Sequence, residues 1–183
     1  MQILGIVGSL RRGSYNRMLL QAASALAPTA TELIEWAGLR EVPPFCEDDE
    51  ERATPAVHAL RAAIAAADAV LVVTPEYNGS LPGQLKNVLD WASRPFPDNV
   101  LRGKPVAVIG ASPSLGGAGR AQAEARTVLA RIGARVLDGE VRVPRAYEQF
   151  DPNGRLLDPG LRLEMRRLLG ELATAAGPGE AVA

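Results

Sequence analysis

The sequence predicts an open, doubly wound α/β domain built on a parallel sheet, and three observations carry that prediction. Five short runs rich in Val, Ile and Leu alternate with segments of helical apolar spacing. Two of the runs, AVLVV at 69–73 and PVAVIGA at 105–111, are apolar without alternation, as strands covered on both faces of a parallel sheet must be. The stretches after the first, third and fourth runs are rich in glycine and polar residues, as expected where ligands bind outside the carboxyl ends of such strands.

The elements follow in order. Residues 2–7 (QILGIV) form the first strand, and 15–27 a helix with Met18, Leu19, Ala22, Ala23 and Leu26 on one face and Ser14 as N-cap. Residues 31–36 (TELIEW) give the second strand. The segment 37–53, with its prolines and acidic run, reads as a long connection that shapes one wall of a site. A helix over 54–67 starts at Thr54-Pro55, the third strand covers 69–73, and a helix over 82–93 opens with Pro82. The fourth strand is 105–111, followed by a helix over about 118–132. The fifth strand, 136–143, alternates more and belongs nearer an edge, and the last helix covers 159–176. One domain over 1–175 is expected, with a disordered tail at 176–183.

Composition narrows the function. Twenty Lys and Arg stand against 21 Asp and Glu in 183 residues, a formal net charge of -1 with no basic stripe, which argues against nucleic-acid or membrane-surface binding. The single cysteine, Cys46, allows no intrachain disulfide and no multi-cysteine metal site. With no signal-like start and no bilayer-length apolar run, the expectation is a cytoplasmic protein without membrane insertion.

The first loop, GSLRRGSYNR at 8–17, spaces Gly8 and Gly13 like a nucleotide P-loop, but Ser14 and Tyr15 stand where Lys and Ser/Thr should follow. The G-x-G-x-x-G dinucleotide fingerprint is absent too. What remains is a cradle for a phosphate: backbone N–H groups at a helix start, the hydroxyls of Ser9 and Ser14, Arg11 and the Asn16 amide. Taken alone, the same loop also reads as an ordinary strand-to-helix turn with solvated arginines.

The second loop decides between these. TPEYNGSLPGQLKNVLDWASRP, residues 74–95, together with Gly8, Ser9, Arg11, Ser14 and Asn16 of the first, closely resembles the NADPH-dependent FMN reductase family of flavodoxin-like proteins. The resemblance rests on Pro75, Glu76, Tyr77, Asn78, Ser80, Pro82, Gly83, Leu85, Lys86, Asn87, Asp90 and Trp91. It implies a flavodoxin-like, three-layer fold with a five-stranded parallel sheet. It also implies FMN as bound cofactor, NADPH or NADH as electron donor and a homodimer or homotetramer. By resemblance, Ser9, Arg11, Ser14 and Asn16 hold the FMN phosphate, while Pro75, Glu76, Tyr77 and Asn78 run beside the flavin ring and ribityl chain. Glu76 is expected to hydrogen-bond the loop rather than to act as a general acid, since the flavin carries the chemistry.

In the third loop, ASPSLGGAGRAQ, Ser112 and Gly116 are implied to contact the pyrimidine edge. Here Gly116, Gly117 and Arg120 depart from the family's G-G-x-R-x-Q by one additional small residue. The resemblance implies a subunit interface at Asn87, Asp90 and Trp91, with a solvated Lys86–Asp90 pair as the alternative, while His58 is read as a surface histidine and Cys46 as buried. Arg17 is read as lying on the helix surface, and Arg12 as solvated, with binding of the phosphates of an incoming nicotinamide nucleotide as its alternative. The implied activity is ping-pong hydride transfer from NAD(P)H to FMN and on to a quinone, azo or nitro compound, metal oxyanion or free flavin. An electron-carrier flavodoxin is the alternative, disfavoured because such carriers are markedly acidic. A phosphorylation receiver lacks its acidic pair and phosphoacceptor aspartate here.

Overall fold

A computed structural model describes residues 1–177. Its strands are β1 (Gln2–Val7), β2 (Glu32–Glu35), β3 (Ala69–Thr74), β4 (Pro105–Ala111) and β5 (Arg135–Val143). The helices are α1 (Tyr15–Leu26), α2 (Pro55–Ala66), α3 (Gly83–Ala92), α4 (Gly119–Ile132) and α5 (Pro159–Ala176). Every strand pairing is parallel and the order across the sheet is β2-β1-β3-β4-β5. This is the flavodoxin-like fold that the sequence predicts.

Successive side chains of a strand face opposite sides, and that alternation builds two cores. Val70, Val72, Val106 and Val108 pack under α2, α3 and α4. Leu71, Val73, Ala107 and Ile109 pack under α1 and α5. β3 and β4 are therefore buried along their whole length, whereas β2 and β5, the two edges, carry half-exposed and exposed positions. Ser14 caps α1, its hydroxyl accepting from the Arg17 N–H at 3.2 Å. Asp158 caps α5 through the Leu161 N–H at 2.9 Å.

The connection between β2 and α2 is not featureless: it contains two 3-10 turns, Gly38–Arg40 and Glu47–Arg52. Cys46, read as buried, is exposed between them, because its neighbours on both sides are polar or partly solvated. Of the expected tail, Ala176 belongs to α5, and residues 178–183 lie outside the described residues. Among the described residues no helix is long and apolar enough to cross a membrane.

The chain leaves β1 toward β2 on one side and returns to β3 on the other. The loops after β1 and β3 consequently diverge and leave a crevice at the carboxyl ends of the strands.

Candidate active site

Loop 1 begins as a continuation of the sheet, with the Gly8 N–H donating to the Val73 carbonyl at 2.8 Å. From Ser9 to Asn16 no backbone N–H then finds an acceptor among the described residues. Ser9 is buried and its hydroxyl has no protein partner there either. Arg11 is exposed, its guanidinium 5.8 Å from the centre of the Tyr15 ring, and Arg12 is exposed as well. Arg17 is occupied elsewhere, paired with Glu35 at 2.8 Å. Asn16 is buried and reaches across the sheet: its Nδ2 donates to the Ala111 carbonyl and its Oδ1 accepts from the Ala111 N–H, both at 2.9 Å. The Asn16 amide thus ties loop 1 to the end of β4 and retains only one N–H for anything else.

Loop 2 is braced in the opposite manner. Tyr77 and Ser80 exchange backbone hydrogen bonds of 3.0 and 3.1 Å around Asn78 and Gly79, both left-handed at φ 54° and 80°. An Asn-Gly pair with two positive φ values is the sequence preference of a type I′ turn. Two carboxylates clamp this turn to α4. Glu76 Oε2 accepts from the Arg120 and Ala121 N–H groups at 3.0 and 3.4 Å, at the amino end of the helix where negative charge is favoured. Glu124 Oε2 reaches back to accept from the Ser80 hydroxyl at 2.6 Å and the Leu81 N–H at 3.1 Å. Glu76 therefore has the loop-bonding role expected of it. Pro75 is buried, Asn78 is exposed, and Tyr77 is 46% exposed at the tip.

Loops 1 and 2 enclose a cleft of about 320 Å³ lined by Gly8, Leu10, Arg11, Tyr77, Pro82 and Gln84, among others. It has mainly apolar walls, one arginine and no carboxylate.

Loop 3 folds onto the segment after β5. Ser112 N–H donates to Val143 and Ser112 carbonyl accepts from Ala146, both at 3.1 Å. The Ser112 hydroxyl is 3.0 Å from that of Ser114 and accepts the Ser114 N–H at 3.2 Å. Ser112 is thus engaged in holding the loop, while Gly116 is exposed on a second cleft of about 530 Å³ with Glu76, Arg120 and Arg142. Two consecutive left-handed residues, Gly117 and Ala118, turn the chain into α4. Gln122, wholly buried, donates to the Gly117 carbonyl at 3.1 Å and supports that turn. Behind it, burial disfavours charge on Glu140, but hydrogen bonds from Arg126 and Arg142 prevail and hold its carboxyl below the usual carboxylate range.

The wall beside loop 1 is the 37–53 connection, strapped to α3 by one face of that helix. Gln84 donates to the Leu39 and Val42 carbonyls at 2.8 and 3.0 Å. Asn87 accepts from the Phe45 N–H and donates to the Pro43 carbonyl, and Trp91 Nε1 donates to the same carbonyl at 2.9 Å. Asn87 and Trp91, read from the sequence as interface residues, spend their polar atoms inside the molecule. Spacing of i, i+3 and i+7 puts all three on one helix face, and that face meets this chain's own connection. Asp90 pairs with Lys86 at 2.6 Å on the solvated side, and His58 is exposed.

Sequence reasoning missed Glu124, Gln84 and Gln122. Gln84 lies within the quoted second stretch, Gln122 closes the third and Glu124 lies just beyond, but only the paired positions across space reveal what they hold.

Comparison with known proteins gives this geometry a family. The model of the NADPH-dependent FMN reductase family matches residues 1–148. The chain belongs to that family. It is 43% identical over 182 residues to an NAD(P)H-dependent FMN reductase of Pseudomonas aeruginosa, covering 92% of this chain and 97% of that one. A quinone reductase of Escherichia coli K12 is 37% identical, over 97% of this chain and 94% of its own. Among solved structures, the flavoenzyme FerB of Paracoccus denitrificans, an NAD(P)H:(acceptor) oxidoreductase, superposes with a TM-score of 0.84 at 31% identity, covering 96% of each chain.

The reductase is thus an FMN-dependent oxidoreductase with NAD(P)H as donor, and its residues fit the cofactor. The hydroxyl of the buried residue Ser9, which has no protein partner, a run of unspent N–H donors at a helix start and an arginine without a carboxylate together match a phosphate dianion.

Proposed function

We propose that this reductase takes a hydride from NADPH or NADH and delivers two electrons to a planar, largely apolar acceptor, a quinone first among the candidates, in a ping-pong cycle. The observation that carries the reading is the cleft between loops 1 and 2, with unspent donors at one end and apolar side chains along its walls. Azo and nitro compounds, metal oxyanions and free flavin are further acceptors of the same reading.

FMN, when bound, supplies the hydride chemistry. The chain's residues bind and orient it. Ser9, Ser14, Arg11 and the free N–H groups of 9–16 hold the phosphate, and Asn16 sets the loop through Ala111 and turns its remaining N–H toward the same group. Pro75, Glu76, Tyr77 and Asn78 form the rigid shelf beside the ring, and Ser112 and Gly116 border its pyrimidine edge. No side chain is assigned as a general acid. Leu10, Tyr77 and Leu115, one from each loop and exposed at 39%, 46% and 79%, offer apolar contact to an incoming planar molecule. The relatives' names support the acceptor class: one similar protein, at 36% identity over 176 residues, is a 2-hydroxy-1,4-benzoquinone reductase of a Burkholderia species. A cytoplasmic homodimer or homotetramer belongs to the same proposal.

The test is an anaerobic visible spectrum of the FMN-loaded protein, before and after one equivalent of NADPH or NADH, then after benzoquinone. Rapid bleaching by nucleotide and full recovery by quinone, with parallel lines in double-reciprocal kinetics, is the expected result. Bleaching without recovery by quinone would remove the acceptor assignment, and slow bleaching by both nucleotides would return the carrier reading.

A further inference from the structure

The geometry points to a second binding site, on the opposite side of the sheet from α3, for a small organic anion with an apolar body. A groove of about 390 Å³ runs between α1, α5 and the turn before α5. Arg155, Arg162 and Arg166 border it, and no Asp or Glu is among its lining residues. None of the three arginines has an ion-pair partner among the described residues. In a chain with a net charge of -1 this is a local departure, shared by the cleft between loops 1 and 2, where Arg11 lines a cavity with no carboxylate.

The helix adds a second reason. Arg162 lies in the first turn of α5, the positive end of the helix dipole, where cations are disfavoured, and that turn contains no acidic residue. Arg166 is one turn on, at i+4, so the two share a face. Asp158, the N-cap, accepts from the Leu161 N–H and keeps its charge, but it does not line the groove. Asp151 is likewise engaged locally, its Oδ1 accepting the Asn153 and Arg155 N–H groups at 2.9 Å, which presents Arg155 from a fixed turn. An anion in the groove would give these three guanidinium groups the direct partner that the described residues do not.

The rest of the groove selects the body of the ligand. Ala22, Ala25, Leu26 and Leu156 make an apolar floor. Guanidinium groups pair with carboxylate or phosphate oxygens in two-pronged fashion. The ligand class is therefore a carboxylate or phosphate monoester on a short apolar chain or ring. The site is independent of the flavin and of its acceptor.

Calorimetric titration of the FMN-loaded protein with octanoate, octyl phosphate and inorganic phosphate tests this, since the phosphate cradle of loop 1 is then filled. Expected is saturable binding of octanoate or octyl phosphate at one per chain, weakened roughly tenfold or more in Arg162→Gln/Arg166→Gln. That variant should bleach with NAD(P)H as the parent does, and nitrogen-15 shifts on binding should cluster at α1 and 153–166. The tighter of the two amphiphiles names the head group. No saturable binding, equal binding by the variant, or inorganic phosphate binding as tightly as octyl phosphate would overturn the proposal.

Discussion

Loops 1 and 2 leave adjacent strands at the same end of the sheet, yet they spend their hydrogen-bonding groups in opposite ways. Between Ser9 and Asn16 the backbone donors are unspent. Between Glu76 and Leu81 the chain is closed on itself as a turn and clamped at both ends by carboxylates to and from α4. An exposed donor row is inexpensive in water and valuable to an anion, whereas a clamped turn has its shape before any ligand arrives. On the proposed assignment of loop 1 to the FMN phosphate, loop 1 is completed by the cofactor and loop 2 by the protein, so substitutions should separate cofactor affinity from the stability of the apoprotein.

The largest expected effect strikes the end of the sheet from which loops 2 and 3 leave and to which Asn16 ties loop 1. A Cβ added at Gly110 would lie 2.5 Å from the Thr74 backbone oxygen and 2.9 Å from Ala118 Cβ. Backbone cannot yield as a side-chain end can, and β3 and β4 must part where loops 2 and 3 begin. Gly110→Ala should cost about 3 kcal/mol or more in denaturant unfolding and weaken FMN binding with it. An unchanged midpoint would mean that the sheet end is softer than both loops require.

Next comes Arg11→Ala. The exposed guanidinium has no carboxylate to lose, so the apoprotein melting temperature should stay constant while the FMN Kd rises roughly ten- to a hundredfold. Fluorescence titration of FMN reads the affinity. A fall in apoprotein stability instead would break the contrast.

Glu124→Ala should do the reverse. It leaves the Ser80 hydroxyl only its 3.4 Å bond to the Leu81 carbonyl and strands the partly buried Leu81 N–H, at a cost of about 1–3 kcal/mol to the apoprotein. Its effect on FMN affinity should be smaller than that of Arg11→Ala. Urea unfolding of the two apoproteins beside their FMN titrations gives the full two-by-two comparison.

The layout of the fold was legible because buried parallel strands and amphipathic helices declare themselves locally. The spans predicted for β1, β3 and β4 agree with the observed ones to within a residue, since AVLVV and PVAVIGA have no polar position to confuse their ends. The loops of the site were legible through their motifs, but the use made of each residue was not. Nothing in the local sequence tells that Asn16 is bound to Ala111, 95 residues on, or that Glu124 reaches back to Ser80. The internal bonds of Trp91 and Asn87 were hidden for the same reason: the resemblance points these residues to a subunit interface, and only the three-dimensional path of 37–53 shows the partners that their polar atoms have within the chain.

The smallest effect is also the sharpest test of the contrast, because the same substitution should change sign between the loops. Gly79 sits at φ 80°, where a Cβ meets no closer atom than Arg120 Nη1 at 3.6 Å. Space is therefore not the obstacle and conformation is, so Gly79→Ala should cost about 1 kcal/mol in apoprotein stability. Gly13 has no atom within 4 Å of an added Cβ and its backbone lies outside the left-handed region. There Gly13→Ala removes freedom from the unfolded chain at no cost to the folded one and should stabilise the apoprotein by about 0.4–1 kcal/mol. Opposite shifts in urea midpoint would locate the constraint in loop 2 and the openness in loop 1. Destabilisation by both would mean that loop 1 is already held in one shape by the protein, and its donors would then be preorganised rather than waiting for the phosphate.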